Sequence, residues 1–151
     1  MYTVEATIAF EAAHRLYGVD TYSSECRDSV HGHSYKVKAV VGRKWLNEAR
    51  MVVDFKLLKK VMKGIEDKYD HTTILRDCDP LVEAFKQCAP ESRINIVKNS
   101  PTAEWMAQEY YNVLTKALTE VDPDIVIVSV SVQETEKNIA TYTDPHMGGC
   151  I

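Results

Sequence analysis

The chain has 151 residues, 45% of them hydrophobic, which is enough for one domain with a real core, spanning 1–151, and too few for two. Lys and Arg total 18 against 22 Asp and Glu, and a mildly acidic chain without a basic run does not fit nucleic acid as a partner. The opening Met1 to Glu5 has no basic stretch leading into an apolar one, and no segment approaches the roughly 18 apolar residues of a membrane span, so a soluble, unexported protein is expected, cytoplasmic and without a membrane partner.

Val4, Ala6, Ile8, Phe10, Ala12 and His14 alternate with Thr3, Glu5, Thr7 and Glu11, the period-two pattern of a half-buried strand that ends on His14. Residues 17–30 are polar and carry Gly18, Asp20, Ser23, Ser24 and Asp28, which predicts a loop. From His31 a second strand runs on, in which His31, His33, Tyr35, Val37, Ala39 and Val41 share one face while Ser34, Lys36 and Lys38 take the other. An antiparallel hairpin lays the end of the first strand beside the start of the second, and His14, His31 and His33 then converge. Asp54 can cap a helix running to about Tyr69, with an apolar stripe of Leu57, Leu58, Val61, Met62 and Ile65 and a solvated face of Lys56, Lys59, Lys60 and Lys63. Leu81 to Ala89 suits a short helix and Ile94 to Val97 a short strand. A further helix opens at Ser100-Pro101-Thr102, buries Met106, Tyr110, Val113, Leu114, Ala117, Leu118 and Val121, and stops before Asp122-Pro123-Asp124. Ile125 to Glu134 is a strand whose Val128, Val130, Val132 and Glu134 share one face, and Asn138 to Thr143 pairs with it across a tight Glu136-Lys137 turn. The order β-β-α-α-β-β describes an α+β protein, an antiparallel sheet with two helices on one face, and the tail from 144 to 151 is peripheral.

Three neutral imidazoles meeting at one point, with no fourth protein ligand evident, match an open tetrahedral zinc site that keeps a position for water or substrate. The alternative is that each histidine is separately hydrogen-bonded, as most are. The four cysteines, at 26, 78, 88 and 150, form no CxxC pair and suit reduced thiols rather than a disulfide framework or a zinc ribbon. Cys26, five residues before His31, is placed to act as base or nucleophile beside a cation, or is incidental. Asp70-His71 is either a proton relay or an ordinary helix end. Glu134 extends a row of valines and needs a partner if buried. A ligand with two parallel N–H donors, such as a 2-amino-4-oxo pyrimidine ring, meets that need, as does an internal ion pair.

Phe10-Glu11-Ala12-Ala13-His14-Arg15-Leu16, Cys26 before His31-Gly32-His33-Ser34-Tyr35, Val53-Asp54-Phe55, Asp70-His71, Pro101-Thr102-Ala103-Glu104 and Gln133-Glu134-Thr135 stand in the order seen in the 6-pyruvoyl- and 6-carboxy-tetrahydropterin synthase family, which the chain resembles from about residue 4 to 143. The resemblance implies the tunnelling fold, in which trimers join their sheets into a barrel and stack into hexamers. It implies zinc (Zn2+) on His14, His31 and His33, with Cys26, Asp70 and His71 transferring protons. Glu134 anchors the pterin in this picture, assisted by Thr102 and Ala103, with Glu104 close by. The Glu-Ala-Ala-His wording resembles the branch that converts 7,8-dihydroneopterin triphosphate to 6-carboxy-5,6,7,8-tetrahydropterin, releasing acetaldehyde and triphosphate on the path to queuosine. The other main branch eliminates triphosphate to give 6-pyruvoyl-tetrahydropterin, and the fold also hosts relatives that bind without turnover. A further branch has glutamate in place of the cysteine, and here Glu25 and Asp28 flank Cys26, so the base has three candidates. The stretch from Arg76 to Asn99 exceeds that of the shortest members and reads as a lid or as decoration.

Overall fold

The computed structural model describes residues 1–22 and 24–145, and Cys150 and most of the expected tail lie outside the described residues. The first strand, β1 (Tyr2–His14), pairs along its whole length with β2 (His31–Arg43) in an antiparallel hairpin that sets His14 directly opposite His31. Burial alternates along both strands as the sequence pattern requires, with Phe10, Tyr35, Val37 and Ala39 inside and Glu11, Ser34, Lys36 and Lys38 outside. Between them the expected loop contains one short helix, α1 (Ser24–Asp28), which carries Cys26.

The inner face of the hairpin is covered by α2 (Phe55–Tyr69) and, later in the chain, α4 (Ala103–Thr119). Asp54 caps α2 by accepting the Lys56 backbone N–H at 2.6 Å, and Leu58, Met62 and Ile65 are buried while the four predicted lysines are exposed. Each such side chain taken out of water contributes about 1.5–3 kcal/mol. In α4 the buried row is Met106, Ala107, Tyr110, Tyr111, Leu114 and Leu118. Val113 and Val121, expected in that row, are 41% and 60% exposed, because the stripe follows i, i+4 steps from Met106 and leaves Val113 at its margin and Val121 beyond the helix end.

The four strands expected to be antiparallel are so, with β5 (Val126–Gln133) on β2 and β6 (Ile139–Tyr142) on β5. A β-bulge shifts the register of β5: Val40 pairs with Ser129 and Val41 with Ile127, leaving Val128 as the extra residue. The core row is therefore Ile127, Val130 and Val132, and Val128 is displaced toward Gly42. Such an insertion flips a period-two pattern in mid-strand, which is why Val128 fits the row by parity and leaves it in space.

On the far side of β1 the sheet is not antiparallel. A strand that the sequence pattern does not announce, β3 (Thr72–Arg76), pairs parallel with Ala12 to His14, and β4 (Ile94–Val97) pairs parallel with β3 through the crossover helix α3 (Leu81–Cys88). The order is β4-β3-β1-β2-β5-β6, and the segment from Arg76 to Asn99 is thus a sheet extension rather than a lid. No helix among the described residues is long and apolar enough to cross a membrane.

Candidate metal centre and adjoining pocket

The hairpin register brings His14 and His31 side by side, and His33 follows on the same face of β2. Their ring centroids form a near-equilateral triangle with sides of 4.6, 5.0 and 5.0 Å. One ring nitrogen of each lies within 4.8 Å of the others. Ligand atoms held 2.0–2.1 Å from a tetrahedral zinc stand about 3.3 Å apart, so the triangle needs only small ring rotations to close on an ion.

The protonation of these rings follows from their partners. His14 Nδ1 lies 2.7 Å from the Pro101 carbonyl and His31 Nδ1 lies 3.0 Å from the Ser29 carbonyl. A carbonyl oxygen only accepts, so in both rings Nδ1 carries the hydrogen and Nε2 is bare. The two bare Nε2 atoms face each other at 3.0 Å, and the Nε2 of His33 is buried without a hydrogen bond. Lone pairs pointed at one another are repulsive unless a cation lies among them, and backbone carbonyls that fix the tautomer are the usual outer partners of metal-bound histidine. The donor set fits a divalent ion of the zinc type. Burial, with smaller contributions from His31 and His33, lowers the His14 pKa to about 4 against the upward pull of Pro101. Burial likewise lowers that of His33, against the opposing pull of Glu134. Both imidazoles are therefore neutral at ordinary pH, as ligands must be.

Glu134 follows β5 as the chain turns into β6, and its carboxylate is 24% exposed. Its Oε1 lies 3.4 Å from His14 Nε2 and 3.7 Å from His33 Nε2, so the partly buried position expected from the valine row is observed, with the histidines as its neighbours. Glu134 also lines a cavity of about 410 Å³ together with Leu16, Thr102, Ala103, Glu104 and Asn138. Thr102 caps α4 through its hydroxyl, which accepts the Trp105 N–H at 3.2 Å. The preceding Pro101 supplies the carbonyl that holds His14. All four residues expected at the substrate thus surround one pocket beside the metal triangle. The Pro101 carbonyl is invisible in the sequence, since a backbone acceptor carries no residue signature.

Cys26 is half-buried on α1, and its thiol is not among the atoms that form the triangle. Its carbonyl accepts the Leu16 N–H at 2.8 Å, which ties α1 to the chain two residues past His14. Of the flanking acids, Asp28 is gripped by Arg27 through Nε and a terminal nitrogen at 2.8 and 3.0 Å, whereas Glu25 stands in the first turn of the helix.

The structure does not bring Asp70-His71 to the triangle of the same chain. His71, with a left-handed φ of 55°, donates its backbone N–H to the Glu11 carbonyl at 2.7 Å. It lines a second depression, of about 400 Å³, with Glu11, Ser34 and Thr73 and with Gly32 and His33 at its edge on β2. Glu11 and Ser34 belong to the outer face of the sheet, opposite the histidines. Asp70 accepts the Glu11 N–H at 3.0 Å and contacts His71 Nδ1 at 2.8 Å; the first of these bonds and then the second lower its pKa and hold it ionised. The His71 side chain is 75% exposed, which leaves its Nε2 open to an outside partner.

A family model described as 6-pyruvoyl tetrahydropterin synthase matches residues 3–145. The 6-carboxy-5,6,7,8-tetrahydropterin synthase of Aquifex aeolicus is 32% identical over 158 aligned residues, covering 93% of this chain and 97% of that one. Among solved structures, the 6-pyruvoyl tetrahydropterin synthase of Caenorhabditis elegans superposes with a TM-score of 0.67 at 30% identity over 94% of each chain. An uncharacterized protein of Wolinella succinogenes superposes with a TM-score of 0.81 over 95% of this chain and 98% of that one, and at 22% identity that likeness is one of fold.

The depressed His14 value sets a sign for pH dependence. The folded chain refuses a proton that the unfolded chain takes up near pH 6.5, so metal-free protein loses stability as pH falls from 6.5 toward 4. Urea unfolding of chelator-treated protein across that range checks this, and His14→Gln should flatten the slope.

Proposed function

We propose that this chain, which belongs to the 6-pyruvoyl tetrahydropterin synthase family, is a zinc-dependent 6-carboxy-5,6,7,8-tetrahydropterin synthase. The reaction takes 7,8-dihydroneopterin triphosphate and water to 6-carboxytetrahydropterin, acetaldehyde and triphosphate, in queuosine or related deazapurine synthesis in the cytoplasm. The observation that carries this reading is the placement of Glu134 between the histidine triangle and the pocket of Thr102, Ala103 and Glu104. A ring anchored on that carboxylate presents its side chain to the metal.

His14, His31 and His33 would hold zinc, whose role when bound is to polarise the side-chain oxygens of the substrate. Glu134 accepts two parallel N–H groups from the 2-amino-4-oxo pyrimidine edge, a charge-assisted pairing that also meets the cost of a partly buried carboxylate. The first-turn N–H groups of α4, at Ala103 and Glu104, lie at the positive end of that helix and suit the ring's carbonyl oxygen. Cys26, as thiolate, takes a proton from the side-chain carbon. Asp70 fixes His71 with its Nδ1–H inward, so that His71 Nε2 exchanges protons with the side-chain oxygens.

His71 lies on the outer face of its own sheet, so the relay serves the site of an adjacent copy. A homo-oligomer, trimers stacked into hexamers as in the barrel-forming arrangement of the tunnelling fold, supplies that copy.

Product analysis tests the reading. Zinc-loaded protein given 7,8-dihydroneopterin triphosphate is expected to release acetaldehyde in step with 6-carboxytetrahydropterin, and Cys26→Ala to bind the substrate while losing at least about a hundredfold in rate. A pyruvoyl product without acetaldehyde places the chain in the other branch, and tight pterin binding without turnover makes it a binding protein. Co-expressed Cys26→Ala and His71→Ala chains, each inactive alone, are expected to recover part of the activity, since some interfaces then hold both wild-type residues. No recovery contradicts the shared site.

A further inference from the structure

The extension between β3 and β4 contains a buried acid that the proposed reaction leaves without a task. Asp79 follows the exposed Cys78, precedes α3, and has no exposed side-chain surface. Its carboxylate is fully occupied. One oxygen accepts Arg15 Nε at 2.9 Å, while the other pairs with an Arg15 terminal nitrogen and accepts the Leu81 N–H at 2.8 Å. Its own N–H is bound to the Arg76 carbonyl at 2.9 Å. The Arg15 side chain is 14% exposed, and its guanidinium also lies 5.0 Å from the centre of the Tyr17 ring. A planar fork gripped on both prongs and covered on one face has little rotational freedom left.

The position of Arg15 gives this clamp its significance. Arg15 stands between His14, at the metal triangle, and Leu16, which lines the ring pocket and donates its N–H to the carbonyl of Cys26. Past His14 the chain has left the strand, so ladder bonds no longer hold it. We propose that Asp79 is a positioning residue: by clamping Arg15 it fixes Leu16 as a wall of the ring pocket and, through the Leu16 to Cys26 bond, sets the short helix that carries Cys26. The extension from Arg76 to Asn99 is on this account a brace for the site. The kinetic part of the assignment rests on the proposed reaction, and the structural part does not.

The test is Asp79→Asn in the zinc-loaded full chain. It keeps the shape and the Leu81 cap but removes the charge that holds both prongs. Peptide-resolved alkylation with iodoacetamide reads Cys26 separately from Cys78, Cys88 and Cys150. The expected result is a several-fold faster alkylation of Cys26 with zinc content unchanged. The accompanying loss in kcat is about a hundredfold, as for a misplacement on the order of 1 Å, with a smaller rise in KM because Leu16 forms only one wall of the pocket. If Asp79→Asn does not fold, Arg15→Lys, which keeps the charge but loses the fork, is read in the same way. A variant that melts earlier yet leaves Cys26 alkylation and kcat at wild-type values overturns the proposal and makes the pair a plain stabiliser. Should the wild type prove inactive on 7,8-dihydroneopterin triphosphate, the reaction assignment fails, and the alkylation comparison still decides whether Asp79 positions Cys26.

Discussion

The arrangement depends on one electrostatic constraint, the convergence of bare imidazole nitrogens at the end of the β1 to β2 hairpin where the connecting segment leaves and returns. Backbone carbonyls of Pro101 and Ser29 accept the Nδ1–H groups of His14 and His31 and leave both Nε2 lone pairs facing each other, His33 and the Glu134 carboxylate. In the protein interior such a cluster is costly when empty, because buried polar atoms without partners forfeit the hydrogen bonds they had in water. A divalent cation reverses the sign of that cost. The surrounding elements each keep the three rings in place: the hairpin sets the register, α4 delivers the Pro101 carbonyl, and burial holds His14 in its neutral form.

The pocket is a consequence of the same geometry. Because α4 begins where it must to hold His14, its N-terminal turn lies beside the triangle, and Thr102, Ala103 and Glu104 become walls. The bulge in β5 lets Ile127 share the inner face with Val130 and Val132, which pair with Ala39 and Val37, and Glu134 follows them in the same parity beside the histidines. A carboxylate with two histidine nitrogens at 3.4 and 3.7 Å stands between the triangle and the pocket, which is the placement the proposed ring-anchoring role needs.

Much of this is legible in the sequence where periodicity is strict. The alternation from Val4 to His14 and from His31 to Val41 defines faces without reference to any partner, so the convergence of the histidines follows from parity, and the Asp54 and Thr102 caps follow from side chains that compete for helix N–H groups. The features that are not legible depend on longer-range context. Strand β3 is short and parallel, and Thr72 to Arg76 carries no alternation against which to read it. The bulge at Val128 is a pairing event between two strands, and a backbone acceptor such as Pro101 has no residue signature. Asp79 has a local signal, an acid just before an apolar helix start, but its partner Arg15 lies far away in sequence. The family resemblance leads one to expect Asp70-His71 in the proton-transfer set but does not show on which face of the sheet it sits, because that face is decided by its bonds to Glu11.

Anomalous diffraction at the zinc edge from crystals of the metal-loaded protein tests the central claim most directly. The account predicts one peak per chain, about 2.0–2.1 Å from the Nε2 atoms of His14, His31 and His33, with the Nδ1 atoms of His14 and His31 still within hydrogen-bond distance of the Pro101 and Ser29 carbonyls. A peak coordinated by Cys26 in place of any of the three, or no peak and a direct hydrogen bond between His14 and His31, would contradict it.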